Sequence, residues 1–205
     1  MPVSHRRAFV LGFAPALAAT CLFPGLASAA VPAEDFVSRN IQAGLGILSN
    51  AQLSPDQRRS QFEKLLLSIT DLKRIAVFTL GNYGKSAAAA DVDAFTTAFQ
   101  TYALSVYRSY FEKYSGQTLA VTGSRDNAPG DTIVRTSLSG SGAGPLEVDF
   151  RVNANGPSPV LTDIGIAGVW LALAERDDFA AFLSQNHGDV SALAAHLTEV
   201  AQASR

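Results

Sequence analysis

The side chains in this sequence that could do chemistry are spaced against doing it together. Beyond the N-terminal segment two histidines remain, His187 and His196. Their spacing makes no zinc motif. His187 sits beside a helix-ending Gly188, where a cationic side chain suits the carbonyl end, and His196 lies in an Ala-rich helical stretch. Both read as surface histidines. Gly140-Ser141-Gly142-Ala143-Gly144 has the composition of a phosphate cradle. Such a cradle must precede a helix N-terminus; this run leads into a strand at Leu146, so it reads as a hairpin loop. Asp149 and Asp163 could both lie on strands and form an acid–base pair. Asp149 shares its face with Arg151, however, so a solvated charged face is the favoured account. There is no Gly-x-Ser-x-Gly elbow. No catalytic residue and no metal ligand is assigned, which favours a binder over an enzyme.

The N-terminus explains the one cysteine. Arg6-Arg7 form a basic start, Ala8 to Leu22 is an apolar run broken by Gly12, Pro15, Thr20 and Cys21, and Ala27-Ser28-Ala29 is a small-x-small cleavage site. Residues 1–29 therefore read as a cleavable signal peptide, and 30–205 as one domain working outside the cytoplasm. The run is too short and broken for a transmembrane helix. Arg6-Arg7-Ala8-Phe9-Val10 also fits a twin-arginine signal, so a general secretory route and a twin-arginine route both remain open. Thr20 before Cys21 and Leu22-Phe23-Pro24 after it do not suit a lipoprotein signal. Cys21 leaves with the signal, and the mature chain has no thiol, disulfide or cysteine metal site. Chelator and reductant should leave the mature fold intact.

Composition narrows the partner. The chain has 205 residues, 47% hydrophobic and 17% charged, enough for a core and not the profile of disorder. Without Arg6 and Arg7, 14 Lys+Arg face 18 Asp+Glu, a net of −4. No basic stripe appears, so nucleic acid is not expected as a partner.

The elements that must position any site follow from hydrophobic period. Ala33 to Ser49 predicts a helix through Val37, Ile41, Leu45 and Leu48. Ser54, Pro55 and Gln57 form a capping box for a second, whose buried stripe is Phe62, Leu65, Leu66 and Ile69. Asp71 caps a short helix that Gly81 ends. Asp91 opens the longest helix, with Val92, Phe95, Phe99, Tyr102, Val106 and Tyr110 in three-four alternation; Gly116 stops it. The period then changes to two. Strands are expected at Thr118–Gly123, Thr132–Ser139, Leu146–Asn153 and Val160–Ile166. Two helices close the chain, one through Phe179, Phe182 and Leu183 and one capped by Asp189 with Val190, Leu193, Leu197 and Val200 inward. The order gives an α+β fold, with helices on a four-stranded antiparallel meander.

Three blocks carry a resemblance. The first is Phe62 with Leu65-Leu66, then Asp71, Ile75-Ala76 and Leu80-Gly81-Asn82-Tyr83. The second is Phe95, Phe99 and Tyr107. The third is Val160-Leu161-Thr162-Asp163-Ile164, then Gly168-Val169-Trp170-Leu171, then Arg176 and Phe179. In order and spacing these resemble the MlaC, or toluene-tolerance, family of periplasmic phospholipid-binding proteins of Gram-negative bacteria. Two positions depart: Gly84 stands where the family usually has Trp, and Trp170 where it often has Ser. The family also has a hopanoid-associated branch, so a hopanoid is the alternative cargo.

The resemblance implies a carrier that shuttles lipid between an outer-membrane lipoprotein complex and an inner-membrane ABC transporter with an MCE-domain ring. It implies an apolar cavity between sheet and helices, with bound phospholipid as cargo and no cofactor. The lipid-binding residues it suggests are Leu80, Tyr83, Phe95, Phe99, Tyr102, Val106, Val134, Val148, Phe150, Ile164, Ile166 and Val169. In that arrangement the strand face of Leu146, Val148, Phe150 and Val152 stands opposite the aromatic stripe. The competing readings are a small exported enzyme of isomerase or dehydratase type, which needs Asp163 buried beside a Tyr hydroxyl, and a structural partner of a membrane complex that binds no lipid.

Overall fold

The computed structural model describes residues 30–112, 114–140, 142 and 144–203. The signal-peptide residues and the side chain of Tyr110 lie outside the described set. Helix α1 runs Ala30–Ser49 and α2 Pro55–Ile69. The capping box of α2 is formed: Gln57 N donates to Ser54 Oγ at 3.2 Å, and Ser54 N to Gln57 Oε1 at 2.9 Å. Helix α3, Leu72–Leu80, starts where Asp71 accepts from Arg74 N at 3.0 Å. It ends at Gly81, whose φ of +56° only glycine adopts freely. The α2–α3 link is tied to the sheet by Asp71 N donating to Leu161 O at 3.0 Å. A single turn, α4 at Tyr83–Ser86, leads to the long α5, Ala89–Glu112.

Five strands follow, not four: β1 Thr118–Ala128, β2 Asp131–Ser139, β3 Leu146–Asn153, β4 Val160–Ile166 and β5 Val169–Trp170, in the order β1-β2-β3-β4-β5, all antiparallel. The fifth strand escapes period analysis because it has only two residues. Its hairpin is made by Ala167 and Gly168, at φ +49° and +83°, the backbone that two-residue hairpins demand. Strand β1 also runs on past Gly123, through bulges at Val121/Gly123 and Asp126/Ala128. Its second half is polar because it is exposed, so no apolar alternation marks it. Gly140, Gly142 and Gly144 lie in the β2–β3 loop.

Register puts apolar residues on one face in rows. Leu119, Leu138 and Leu146 align, as do Thr136, Val148 and Ile166, and Val134, Phe150 and Ile164. A bulge at Arg151/Val152 makes Val152 pair with Leu161 while Phe150 pairs with Ile164. The extra residue lets Leu161 and Ile164, three apart, share that face. Helix α1 covers β1 and β2, with Ala33, Phe36 and Val37 buried against Val134, Val152 and Leu161.

The remaining helices, α6 Leu171–Gln185 and α7 Val190–Ala203, form a separate core with α3 and α5. Phe95 and Phe99 each meet the Phe179 ring edge-on, at 5.8 and 6.2 Å. Helix α6 begins at Trp170, which cannot cap it. Asp163 on β4 does so instead, its Oδ1 accepting from Ala172 N at 2.9 Å and from Ile164 N at 2.8 Å.

Candidate functional site

Helix α2 has an apolar stripe but no fully buried side chain. Its Phe62, Leu65, Leu66 and Ile69 face a hollow of about 290 Å³. Helix α1 supplies Phe36, Val37, Ile41, Leu45 and Leu48 to the same hollow, and the sheet supplies Leu119, Leu138, Phe150, Leu161 and Ile164. Among the described residues only Asn40, Tyr114 and Gln117 interrupt the hydrocarbon. Asn40 spends a donor on Phe36 O at 2.8 Å, and Gln117 Oε1 accepts from Ser115 N at 2.7 Å. Among the described residues no charged group lines the walls, so the lining suits hydrocarbon.

A smaller hollow of about 70 Å³ adjoins it, sharing Leu161 and Ile164. Phe99, Tyr102, Ala103 and Val106 of α5 line it, with Leu72 and Ile75 of α3. Five of its described lining side chains carry polar groups: Thr70, Tyr102, Tyr107, Asp163 and Glu175. The Tyr102 hydroxyl donates to Glu175 Oε1 at 2.8 Å. Burial pushes the phenol well above its ordinary range, and the bond to Glu175 adds to this. Burial also raises the Glu175 carboxyl; the Tyr102 bond opposes it and the Asp178 charge adds to it. Asp163 is raised by burial against its two backbone N–H donors. Asp163 does not pair with Tyr102: the Tyr102 hydroxyl goes to Glu175, and Asp163 Oδ1 holds the start of α6.

A prediction follows from Glu175. A folded-state carboxyl raised above its unfolded value binds its proton more tightly when folded. It contributes stability below the ordinary carboxylate pKa and loses it as pH rises through the raised value. Glu175→Gln keeps the acceptor for Tyr102 and removes the charge. The variant should melt above the parent at pH 7, and the gap should close near pH 4. A parent that melts higher at pH 7 would contradict the assignment.

Charge on the sheet also differs in detail from the sequence reading. Arg151 pairs in bidentate fashion with Asp131, at 2.9 and 2.6 Å, and Asp149 approaches Arg135 at 4.0 Å. The Arg151 hydrogen bonds hold the Asp131 carboxyl below its usual range. His196 stacks on Phe182 at 4.9 Å, and His187 occupies the turn after α6 at φ +56°. Among the described residues no three His, Cys, Asp or Glu side chains group to hold a metal ion.

The twelve residues suggested by sequence are divided by the structure. Phe150 and Ile164 line the large hollow; Phe99, Tyr102, Val106 and again Ile164 line the small one. Leu80 and Phe95 are enclosed in the helical core, with Tyr83 packed against it. Val134 is enclosed beneath α1. Val148 is buried in its row between Thr136 and Ile166 and lines neither hollow, nor does Ile166. Val169 is 56% exposed on β5. The α1 and α2 stripes are the wall that sequence reasoning left out of the site. Their periodicity was visible, but a stripe facing a void has the same pattern as one facing a core.

A family model, that of the MlaC protein, matches residues 38–199. The chain belongs to the MlaC family. Its fold is similar to that of a phospholipid-binding protein from Ralstonia solanacearum solved in complex with a phospholipid. The two superpose with a TM-score of 0.74 at 23% identity, covering 84% of this chain and 98% of that one. At that identity the likeness concerns the fold. No helix among the described residues of this MlaC-family chain is long and apolar enough to cross a membrane.

Proposed function

We propose that this chain is an exported, periplasmic lipid carrier whose acyl-chain site is the hollow between α1, α2 and the sheet. The observation that carries the reading is the hydrocarbon lining of that hollow. Protein interiors are normally packed without voids larger than a water. A dry, empty space of this size forfeits on the order of 7 kcal/mol of contacts, comparable to a whole domain's stability. A filled one gains about 0.8 kcal/mol for each methylene buried. Membership of the MlaC family and the fold shared with a phospholipid-binding protein support phospholipid as the cargo. Phe150 and Ile164 contact acyl chains in this account, joined by Leu45, Leu65 and Leu138. The small hollow, with Phe99 and Val106, takes a chain end. Exchange with an inner-membrane MCE-domain transporter and an outer-membrane lipoprotein complex completes the role.

Transfer between vesicles tests it. The mature protein should move a fluorescent phospholipid from donor to acceptor vesicles at a rate proportional to protein concentration. No transfer above the protein-free rate would refute the carrier role. A hopanoid as cargo would appear as competition by hopanoid and none by phospholipid.

Export has its own test. The mature N-terminus should lie near Ala30, by N-terminal sequencing of periplasmic protein. Replacing Arg6 and Arg7 by Lys separates the routes: twin-arginine export collapses, whereas a secretory signal needs only the positive charge. A membrane-anchored, uncleaved chain would contradict both.

A further inference from the structure

A third hollow, of about 300 Å³, matches the apolar one in size and opposes it in character. It lies between α3, the β1–β2 turn and the adjoining parts of β3 and β4, and its size is at the lower end of the roughly 300–1,000 Å³ of small-molecule sites. Arg74 and Phe78 of α3, Asp131, Arg151 and Asp163 line it. Its charges are unevenly satisfied. Asp131 and Arg151 neutralise one another in their bidentate pair. The guanidinium of Arg74 has no hydrogen-bond or ion-pair partner among the described residues; only its backbone N–H is engaged. Asp163 uses Oδ1 for two backbone donors, and Oδ2 has no partner among the described residues. The hollow thus presents one guanidinium without a hydrogen-bond or ion-pair partner among the described residues and one free carboxylate oxygen, while Arg74 also acts at longer range on Asp131 and Arg151 on its cross-strand neighbour Asp163.

That pattern selects a ligand class. A simple anion would meet Arg74 but also face Asp163. A simple cation would meet Asp163 but also face Arg74. A zwitterion satisfies both, and a guanidinium fork is matched to phosphate oxygens. The position points the same way. Asp163 and Ile75 line this hollow and the small one, and the small one shares Leu161 and Ile164 with the apolar pocket. The small hollow thus shares wall residues with the polar hollow on one side and the apolar one on the other, a neighbourhood suited to an amphipathic molecule.

We propose that this polar pocket binds phosphate esters that carry an ammonium group, with Arg74 on the phosphate and Asp163 on the ammonium. The chemistry is that of a zwitterionic phospholipid head group or of its water-soluble glycerol ester. Only the lipid form rests on the carrier reading.

Calorimetric titration of the mature protein decides it, with glycerophosphoethanolamine, inorganic phosphate and ethanolamine as separate probes. The zwitterion should bind about tenfold or more tighter than either half, and Arg74→Gln should weaken it by roughly tenfold or more, as losing a hydrogen bond to a charged group does. Arg74 is exposed, so the variant should keep the parent's melting curve. Leu65→Asp, in the apolar pocket, should leave binding of the glycerol ester unchanged. Dihexanoyl phosphatidylethanolamine distinguishes the sources. Tighter binding than the glycerol ester, reduced by Leu65→Asp, assigns the pocket to a lipid head group; equal binding, insensitive to Leu65→Asp, assigns it to a soluble ester, and the pocket stands in both cases. Failure of the glycerol ester to bind, equal binding of inorganic phosphate, or indifference to Arg74→Gln would each overturn the proposal.

Discussion

Leu65→Asp should yield a folded protein that no longer holds lipid. Leu65 belongs to the α2 stripe on the wall of the apolar hollow, on a helix with no fully buried side chain. In the empty protein a carboxylate there reaches water and costs little. With acyl chains present the same charge would lie against hydrocarbon without a partner, at a cost of several kcal/mol. Fold and cargo therefore separate. Far-ultraviolet circular dichroism and the melting curve should match the parent, while binding of a fluorescent phospholipid should drop by two orders of magnitude or more, about 2.7 kcal/mol or above. An unfolded variant would mean that the hollow is a packed core. A folded variant with undiminished binding would remove α2 from the site.

Phe95→Ala should do the reverse. Phe95 is fully enclosed between α5 and α6, edge-on to Phe179 and 6.0 Å from Phe99. It borders neither the large nor the small hollow. Removing a buried phenyl ring costs roughly 3–5 kcal/mol, which lowers Tm by about 6–20 °C for a domain of this size. The fraction that remains folded at low temperature should still bind phospholipid. Loss of binding at unchanged Tm would show that Phe95 touches cargo and not only neighbouring rings.

The contrast between these residues also shows what could be read before the fold was known. Local signals were legible because their causes are local. Ser54 with Gln57, Asp71 before α3 and Gly81 after it act within a few residues of chain, and the Leu146–Asn153 alternation is a property of one strand. Which helix lies over which face is not local. The α1 and α5 stripes have the same period, yet α1 covers the sheet and α5 packs on α7. Phe95 therefore went to a solid core and Phe99 to the edge of the small hollow, while the plainer leucines of α2 met the large one. The same holds for the polar groups. Tyr102 and Glu175 are 73 residues apart, and nothing near Glu175 marks it as the acceptor of a phenol. Asp163 read as part of a solvated charged face because its role, starting α6 from a neighbouring strand, depends on the hairpin at Ala167 and Gly168. That hairpin closes on a strand too short to leave a pattern.

The central claim is that the hollow between α1, α2 and the sheet is occupied by lipid. Native mass spectrometry of the mature protein, purified from the periplasm without detergent, tests it most directly. The account predicts a complex heavier than the polypeptide by one lipid, released on collisional activation and identified as phospholipid by fragmentation. A protein that flies only at its polypeptide mass, and takes up no phospholipid when incubated with vesicles, would contradict it.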